Sequence, residues 1–194
     1  MQPIRFTIVG LGYLYMNDGY VIRIEPAVKK MGDFSFTGVI DSYFYPEVEI
    51  GNFTSIASPF YIHGKTEHPS VIHKEYVSNF PFGDKWDVDY PRASSKGKIV
   101  IGSDVWIGES VTLLSGVTIG DGSIIGARAV IAKDIPPYCV VVGNPAQIIR
   151  QRFSQEIVDK LLKIKWWEWP REKIEANIEL MKDINKFVDT FYEK

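Results

Sequence analysis

The chain has 194 residues, with 22 Lys and Arg against 24 Asp and Glu and a formal net charge of −2. This length fits one domain with at most a small appendage, and the balanced charge offers no positive field for a nucleic-acid partner. The apolar fraction of 45% supports a buried core and excludes wholesale disorder. The lone Cys139 excludes an internal disulfide and a multi-thiolate metal site, and it fits a reducing compartment.

Residues 1–47 predict an irregular β cap. Apolar alternation in Ile4–Tyr15 and Tyr20–Ile24 flanks the turn signal Asn17-Asp18-Gly19, which is typical of a hairpin. The apolar stretch Ile8–Tyr15 is too short to span a bilayer and has no cleavage pattern after it. We therefore expect no signal peptide, no transmembrane helix and no membrane partner, and a soluble cytoplasmic protein.

Residues 48–145 contain an internal repeat of six residues. Aliphatic side chains recur at every sixth position: Ile101, Ile107, Leu113, Ile119, Ile125 and Ile131. The same spacing links Ile50, Ile56 and Ile62 upstream. A single helix repeats at three and four residues and a single strand at two, so this period favours a β-helix in which three hexapeptides form one triangular turn.

Two segments depart from the repeat. The excursion 64–97 loses the period but carries aromatic residues such as Phe82 and Trp86, so we expect an ordered loop that leaves the coil. Residues 146–194 predict a helical extension: Ser154 is placed to cap a first helix, and Pro170 to begin a single second helix that reaches Phe191.

The coil ending in IGARAVIAKDIPPYCVVVGNPAQIIRQRFS, followed by LLKIKWWEWPREKI, resembles the left-handed β-helix (hexapeptide-repeat) acyltransferases. It is most similar to their xenobiotic branch, which includes chloramphenicol and streptogramin acetyltransferases. The segment TEHPSVIHKEYVSNFPF resembles the catalytic loop of that branch. The implied fold is an all-β solenoid, a left-handed parallel β-helix with a loop excursion and a C-terminal α-helical tail. A homotrimer is expected, since threefold closure buries the apolar faces of a thin coil.

The resemblance implies direct acetyl transfer from acetyl-CoA to a hydroxyl or amine on a small-molecule acceptor. The acceptor could be a sugar, a nucleotide sugar or an antibiotic. His68, in the His-Pro element that opens the excursion, is the candidate general base, because a neutral imidazole accepts a proton near pH 7. Either Glu67 or a backbone carbonyl could orient its ring. His63, Tyr43, Phe82 and Trp86 are the candidates for acceptor contact.

The family positions also suggest an acetyl-CoA site along the coil. Gly108, Gly126 and Ala127 would leave backbone amides open to the pantetheine arm. Trp106 would wall the thioester, and Asn144 and Pro145 would shape the groove. The remaining candidates are Lys133 and Arg150, which would meet the nucleotide phosphates.

Two alternatives stay open. His63, His68 and His73 are spaced by five residues, and β-helix carbonic anhydrases bind a metal through three His from neighbouring subunits. A spacing of five is out of step with a six-residue coil, so we assign no metal ligands. The other alternative is a non-catalytic trimeric scaffold, which would not respond to acetyl-CoA.

Overall fold

The structure is a computed structural model. It describes residues 4–7, 13–17, 20–24, 28–37, 40–43, 47–63, 76–78, 80, 82, 86–89 and 95–192. Three N-terminal strands form an antiparallel sheet in chain order: β1 (Ile4–Thr7), β2 (Tyr13–Asn17) and β3 (Tyr20–Ile24). Asn17 pairs with Tyr20 at the end of the second hairpin, which confirms the predicted turn.

The next strands wind into a parallel coil with three faces. Face 1 contains β4 (Val28–Met31), β7 (Val48–Ile50), β10 (Ile99–Ile101) and β13 (Thr118–Ile119). Face 2 contains β5 (Phe36–Thr37), β8 (Ser55–Ile56), β11 (Trp106–Ile107), β14 (Ile124–Ile125) and β16 (Cys139–Val142). Face 3 contains β6 (Ile40–Tyr43), β9 (Phe60–His63), β12 (Thr112–Leu114) and β15 (Val130–Ile131). A last strand, β17 (Gln147–Gln151), folds back antiparallel against β16.

The six-residue repeat places its recurring aliphatic side chains inside the coil. All six residues of the uninterrupted run, from Ile101 to Ile131, are buried, and Ile50, Ile56 and Ile62 share the same core. In the ladder Ile107 pairs with Ile56 on one side and Ile125 on the other, so equivalent residues stack on one another. This confirms the parallel solenoid predicted from the period.

The parallel coil begins earlier than the boundary expected between residues 47 and 48. Strands β4, β5 and β6 pair in parallel with β7, β8 and β9 and complete an additional turn. In that turn Thr37 occupies the ladder position of Ile56, and Ser42 that of Ile62. The sequence conceals the turn because these register positions lack the aliphatic residues that mark the later repeats.

The chain turns between faces at three corners. Face 1 passes into face 2 at the helix corner, which we define as residues 32–35, 51–54, 102–105, 120–123 and 136–138. Face 2 passes into face 3 at the glycine corner, residues 57–59, 108–111 and 126–129. Face 3 returns to face 1 at the excursion corner, residues 115–117 and 132–134, and the excursion 64–97 is inserted at the same corner one turn earlier.

The C-terminal segment is helical, as predicted. Its elements are α1 (Gln155–Ile164), a 3-10 turn (Trp166–Glu168), α2 (Arg171–Asn177), a second 3-10 turn (Leu180–Lys182) and α3 (Ile184–Phe191). Ser154 caps α1 by accepting a hydrogen bond from the amide of Ile157. The single helix expected after Pro170 is wrong, because Asp183 begins a new helix by accepting from the amide of Lys186.

These helices pack on the helix corner. Trp166 contacts the ring of Phe53, with centroids 4.9 Å apart, and the Asn52 side chain donates to the carbonyl of Trp167 at 3.0 Å. A second apolar core, separate from the coil interior, contains Tyr138, Val158, Leu161, Trp167, Phe187 and Val188. Among the described residues, no helix has the length and apolar character needed to cross a membrane.

The helix corner repeats one backbone conformation at each of its five levels. A residue with positive φ occurs in every one: Phe34, Phe53, Asp104, Gly122 and Tyr138. The Tyr138 ring lies against Gly122, where an added Cβ would collide with it. Arg152 also lies over this ring, with its guanidinium carbon 5.4 Å from the ring centroid. Its Nη1 donates to Asp104 Oδ2 at 3.2 Å and to the Gly122 carbonyl at 2.6 Å.

The first prediction concerns Gly122→Ala. This variant has both a strained φ of +68° and a collision with the Tyr138 ring, whereas Gly97, with φ of +104°, has open space around its Cβ position. Gly97→Ala is therefore the control for backbone strain, expected to cost roughly 1–2 kcal/mol. We expect Gly122→Ala to lose roughly 1–3 kcal/mol more in urea unfolding, since the corner must shift. Equal losses would contradict the ring contact.

The second prediction concerns the pH dependence of Asp104. Burial raises the pKa of its carboxyl above the ordinary value, although the Arg152 guanidinium lowers it. Its contribution to stability is fully present below the unfolded pKa and is lost as pH rises through the folded pKa. We therefore expect the free energy of unfolding of the wild type, relative to Asp104→Asn, to fall as pH rises across the acidic range.

Asp183 provides a control of opposite sign. The backbone amide of Lys186 lowers the pKa of Asp183, so this carboxyl contributes stability above the unfolded pKa and loses it as pH falls through the folded pKa. The wild type, relative to Asp183→Asn, should gain stability as pH rises. If urea unfolding showed that stability relative to the Asn variant changes with pH in the same direction for both carboxyls, the explanation given for Asp104 would be wrong.

Candidate active site

The glycine corner is a stack of tightly packed backbone turns. The amide of Gly108 donates to the carbonyl of Ile125 at 2.8 Å, and the amide of Gly126 donates to the carbonyl of Val141 at 2.8 Å. A Cβ added to Gly108 would lie 2.7 Å from the amide nitrogen of Ala127. Close stacking therefore requires glycine at 108, and Ala127 is exposed on the outer side of the corner.

Asn144 and Pro145 extend this corner by one level. They follow the end of β16, where the carbonyl of Gly143 accepts a hydrogen bond from the amide of Val130 at 3.1 Å. Both side chains are exposed. The structure therefore brings together Gly108, Gly126, Ala127, Asn144 and Pro145, five of the eight residues expected to contact acetyl-CoA.

Trp106 lies beside the glycine corner on face 2. It precedes Ile107 in β11 and pairs with Ser55 and Ile124 in the ladder. Ile107 points into the core, so the neighbouring Trp106 faces outward, and 49% of its surface is exposed. A ligand that followed the glycine corner would meet this indole.

Lys133 and Arg150 are placed away from the stacked corner. Lys133 is exposed at the excursion corner, so strand β15 separates it from Ala127. Arg150 is exposed on β17, opposite Val140, and its Nη1 donates to the carbonyl of Gln151 at 3.2 Å. These two cations do not share one site with the glycine corner in this single chain.

Sequence reasoning missed Arg128, which is an exposed cation on the glycine corner itself. It follows Ala127, has a φ of 62°, and its amide donates to the carbonyl of Glu109 at 2.9 Å. The signal was available, because the six-residue register assigns position 128 to the same corner as Gly126. Arg128 is therefore a further candidate for contact with an anionic ligand.

His63 ends face 3 at the point where the excursion leaves the coil. It is half-buried in β9 and pairs with Tyr43 of β6 and Leu114 of β12. The two acceptor-contact candidates Tyr43 and His63 are therefore neighbours in one ladder. His68, the candidate base, comes five residues later and lies outside the described residues, as does His73.

Phe82 and Trp86 belong to an aromatic cluster in the excursion, which also contains Phe80. The Phe82 centroid is 4.8 Å from that of Phe80 and 4.9 Å from that of Trp86, and the amide of Trp86 donates to the carbonyl of Phe82 at 2.7 Å. Trp86 keeps 61% of its surface exposed. The cluster therefore presents an outward aromatic surface, well suited to stacking on a ring.

Comparison with known families also identifies the coil as a hexapeptide repeat. The family description "Bacterial transferase hexapeptide (six repeats)" matches residues 98–133. A chloramphenicol acetyltransferase of Agrobacterium fabrum is 42% identical over 139 residues, which cover 68% of this chain and 65% of that protein. A second, of Escherichia coli, is 44% identical over 64% of this chain and 61% of that protein. The chain thus spans less than two thirds of the length of these two curated relatives.

A third relative and two solved structures extend the comparison. A probable macrolide acetyltransferase of Lysinibacillus sphaericus is 41% identical over 68% of this chain and 75% of that protein. A hexapeptide-repeat acetyltransferase structure from Vibrio cholerae has a TM-score of 0.53 at 27% identity, covering 69% of this chain and 67% of its own. A galactoside acetyltransferase in complex with coenzyme A has a TM-score of 0.51 at 28% identity, with 69% and 68% covered.

The stacked hexapeptide coil, the exit segment after β16 and the helical tail lie within one chain, and close relatives share most of its length. This protein belongs to the hexapeptide-repeat acetyltransferases, in the xenobiotic branch with the chloramphenicol acetyltransferases.

Proposed function

We propose that this protein transfers an acetyl group from acetyl-CoA to a hydroxyl or amine of a small acceptor. The observation that carries the proposal is the glycine corner, a stack of closely packed backbone turns with Ala127 and Arg128 exposed on its surface and the Trp106 indole beside it. The helix corner is covered by the C-terminal helices, and the excursion leaves from the third corner. Among the described residues, Ala127, Arg128, Asn144 and Pro145 stay exposed at the glycine corner, so a long, thin ligand could lie along it.

Acetyl-CoA would lie along this corner. The amide of Gly126 already donates to the carbonyl of Val141, so the backbone of Ala127 would hydrogen-bond the pantetheine amides. Trp106 would form a wall beside the thioester. Asn144 and Pro145 would shape the exit, and Arg128 would meet a phosphate. Lys133 and Arg150 lie away from this corner, so they could contact the nucleotide end of acetyl-CoA only when it is bound to another subunit.

His68 would act as the general base. Its neutral imidazole takes a proton from the acceptor as the acceptor oxygen or nitrogen attacks the thioester carbonyl, and a tetrahedral oxyanion forms. Collapse of this intermediate breaks the carbon–sulfur bond, the proton passes to the departing thiolate, and free CoA thiol and acetylated acceptor are released. The acceptor would contact His63, Tyr43, Phe82 and Trp86.

The proposal includes a left-handed coil and a homotrimer. The glycine corner and the excursion corner lie at opposite edges of face 3. We therefore propose that a base in the excursion of one copy serves the glycine corner of a neighbour. Exposed apolar side chains on face 2 and β17, including Val142, Ile148 and Ile149, provide surface for such contacts. We place the protein in the cytoplasm, where the buried Cys139 thiol stays reduced.

The aromatic cluster of the excursion also indicates the class of the acceptor. An aromatic cluster favours a ring, either a sugar or the body of an antibiotic. Thiol release from acetyl-CoA, measured with nucleotide-linked amino sugars, simple sugars, chloramphenicol and a streptogramin, identifies it.

Ala127→Glu tests the acetyl-CoA groove. The residue is exposed, so the coil should stay folded, while the added bulk and negative charge should oppose an anionic ligand. We expect acetyl-CoA to bind at least roughly tenfold more weakly, as measured by calorimetry, because one misplaced charge costs more than a kcal/mol in such a site. The matched control is Ala176→Glu, on the exposed surface of α2, which should bind normally. Equal binding of acetyl-CoA by both variants would show that the acetyl-CoA site is not at the glycine corner.

His68→Ala tests the base. Turnover should fall by roughly 10²- to 10⁴-fold while acetyl-CoA binding stays close to normal, because the imidazole moves a proton and does not hold the coenzyme. His63→Ala and His73→Ala are the controls; normal turnover in His68→Ala with loss in either control would assign the base elsewhere.

Mixed assemblies test the sharing of the site. Refolding His68→Ala together with Ala127→Glu should restore part of the activity, since some sites then combine an intact base from one copy with an intact corner from another. No recovery would place base and corner in the same chain.

A further inference from the structure

A cleft of about 200 Å³ lies between the helix corner and the C-terminal helices, away from the glycine corner. The coil contributes Asp104 and Tyr138 to its lining, and the segment after β17 contributes Arg152 and Phe153. The helical tail contributes apolar side chains, among them Trp166 and Phe187. The cleft therefore joins one charged pair to a mostly apolar wall.

The charged pair retains hydrogen-bonding capacity. Arg152 donates through Nη1 alone, both to Asp104 Oδ2 and to the Gly122 carbonyl. Within the described part of the chain, Asp104 Oδ1 and Arg152 Nη2 have no hydrogen-bond partner. About a quarter of each side chain is exposed, 27% for Asp104 and 26% for Arg152. Both side chains are therefore partly exposed, and both line the cleft.

Tyr138 also lines the cleft. Its hydroxyl is buried and has no hydrogen-bond partner among the described residues. A buried polar atom without a partner costs roughly 1–3 kcal/mol. Arg152 lies over the rings of both Tyr138 and Phe153, at 5.4 and 5.3 Å, which holds the guanidinium in place. The Arg152 guanidinium is thus fixed before any ligand arrives.

These features define the chemistry of an occupant. The Asp104–Arg152 pair has no net charge, which favours a neutral molecule. One hydroxyl group can donate to Asp104 Oδ1 and accept from Arg152 at once, whereas a carboxylate cannot donate and an ammonium cannot accept. An apolar cavity of about 150 Å³ holds benzene, so the apolar walls have room for one six-membered ring.

We propose that this cleft is a second binding site, for a small neutral cyclic alcohol of which phenol is the simplest example. The hydroxyl lies between Asp104 and Arg152, and the ring packs against Phe153, Trp166 and Phe187. Because coil and helices both contribute walls, the occupant binds only while the helical tail is docked and stabilises that docking.

The test is a ¹⁹F NMR titration of the full chain, without acetyl-CoA, using 4-fluorophenol as the probe. We expect 4-fluorophenol to bind roughly three- to tenfold more tightly than 4-fluorotoluene, which has the ring but no hydroxyl, the equivalent of one hydrogen bond. The anion 4-fluorobenzoate should bind more weakly than the phenol. Equal affinity of the phenol and the toluene would overturn the role of the Asp104–Arg152 pair.

Two tryptophan variants locate the bound ring. Met181→Trp, at the partly exposed rim of the cleft, should fill the site and weaken 4-fluorophenol binding by roughly tenfold or more through overlap with the ligand. Ile178→Trp is the matched control, because Ile178 is exposed outside the cleft and its variant should bind as the wild type does. If Met181→Trp fails to fold, amide hydrogen exchange on the wild type gives the same information. Added protection of α1 and α3 on 4-fluorophenol binding supports the site, and unchanged exchange or unchanged binding by Met181→Trp overturns it.

Discussion

The six-residue hydrogen-bond ladder is the constraint on which this structure depends. Each turn of the coil lies directly on the one before it, so every position has a counterpart one level away, as Ile107 has in Ile56 and Ile125. The residue type at each position is therefore constrained mainly by the equivalent residues of the adjacent turns, and less by its neighbours in sequence. This one rule explains the aliphatic interior, the bare glycine corner and the recurring positive φ at the helix corner.

The three corners of the coil show how one repeating scaffold supports different tasks. Small residues at one corner let the backbone turns stack closely, and aromatic and polar residues at another attach the helical tail. The third corner admits a long insertion without disturbing the ladder, because β9 and β12 still pair in register across the excursion. Function can therefore vary at the corners while the faces keep the fold.

The period of the aliphatic residues was sufficient to predict the solenoid and its core, because every inner position is fixed by the same ladder. The first turn was not predicted, because Thr37 and Ser42 occupy register positions where the later turns have aliphatic residues. The break before α3 was not predicted for a different reason. The apolar stripe is continuous in sequence, but Asp183 caps a new helix within it. At the candidate site, Gly108, Gly126 and Ala127, which were assigned from family positions, lie together at one corner, whereas Lys133 and Arg150, which were chosen for their charge near the exit, lie elsewhere.

The reversal of β17 has a consequence for the ends of the coil. A parallel ladder that stopped at β16 would present an unpaired row of amides and carbonyls to any similar strand, and copies could then add end to end into fibres. By folding back antiparallel, β17 occupies that row on face 2 with a strand of the chain's own. All five of its residues are exposed, and they include Arg150 and two glutamines. Because β17 already pairs with this row, and Arg150 adds a charge to the new edge, end-to-end addition of another copy at face 2 is disfavoured.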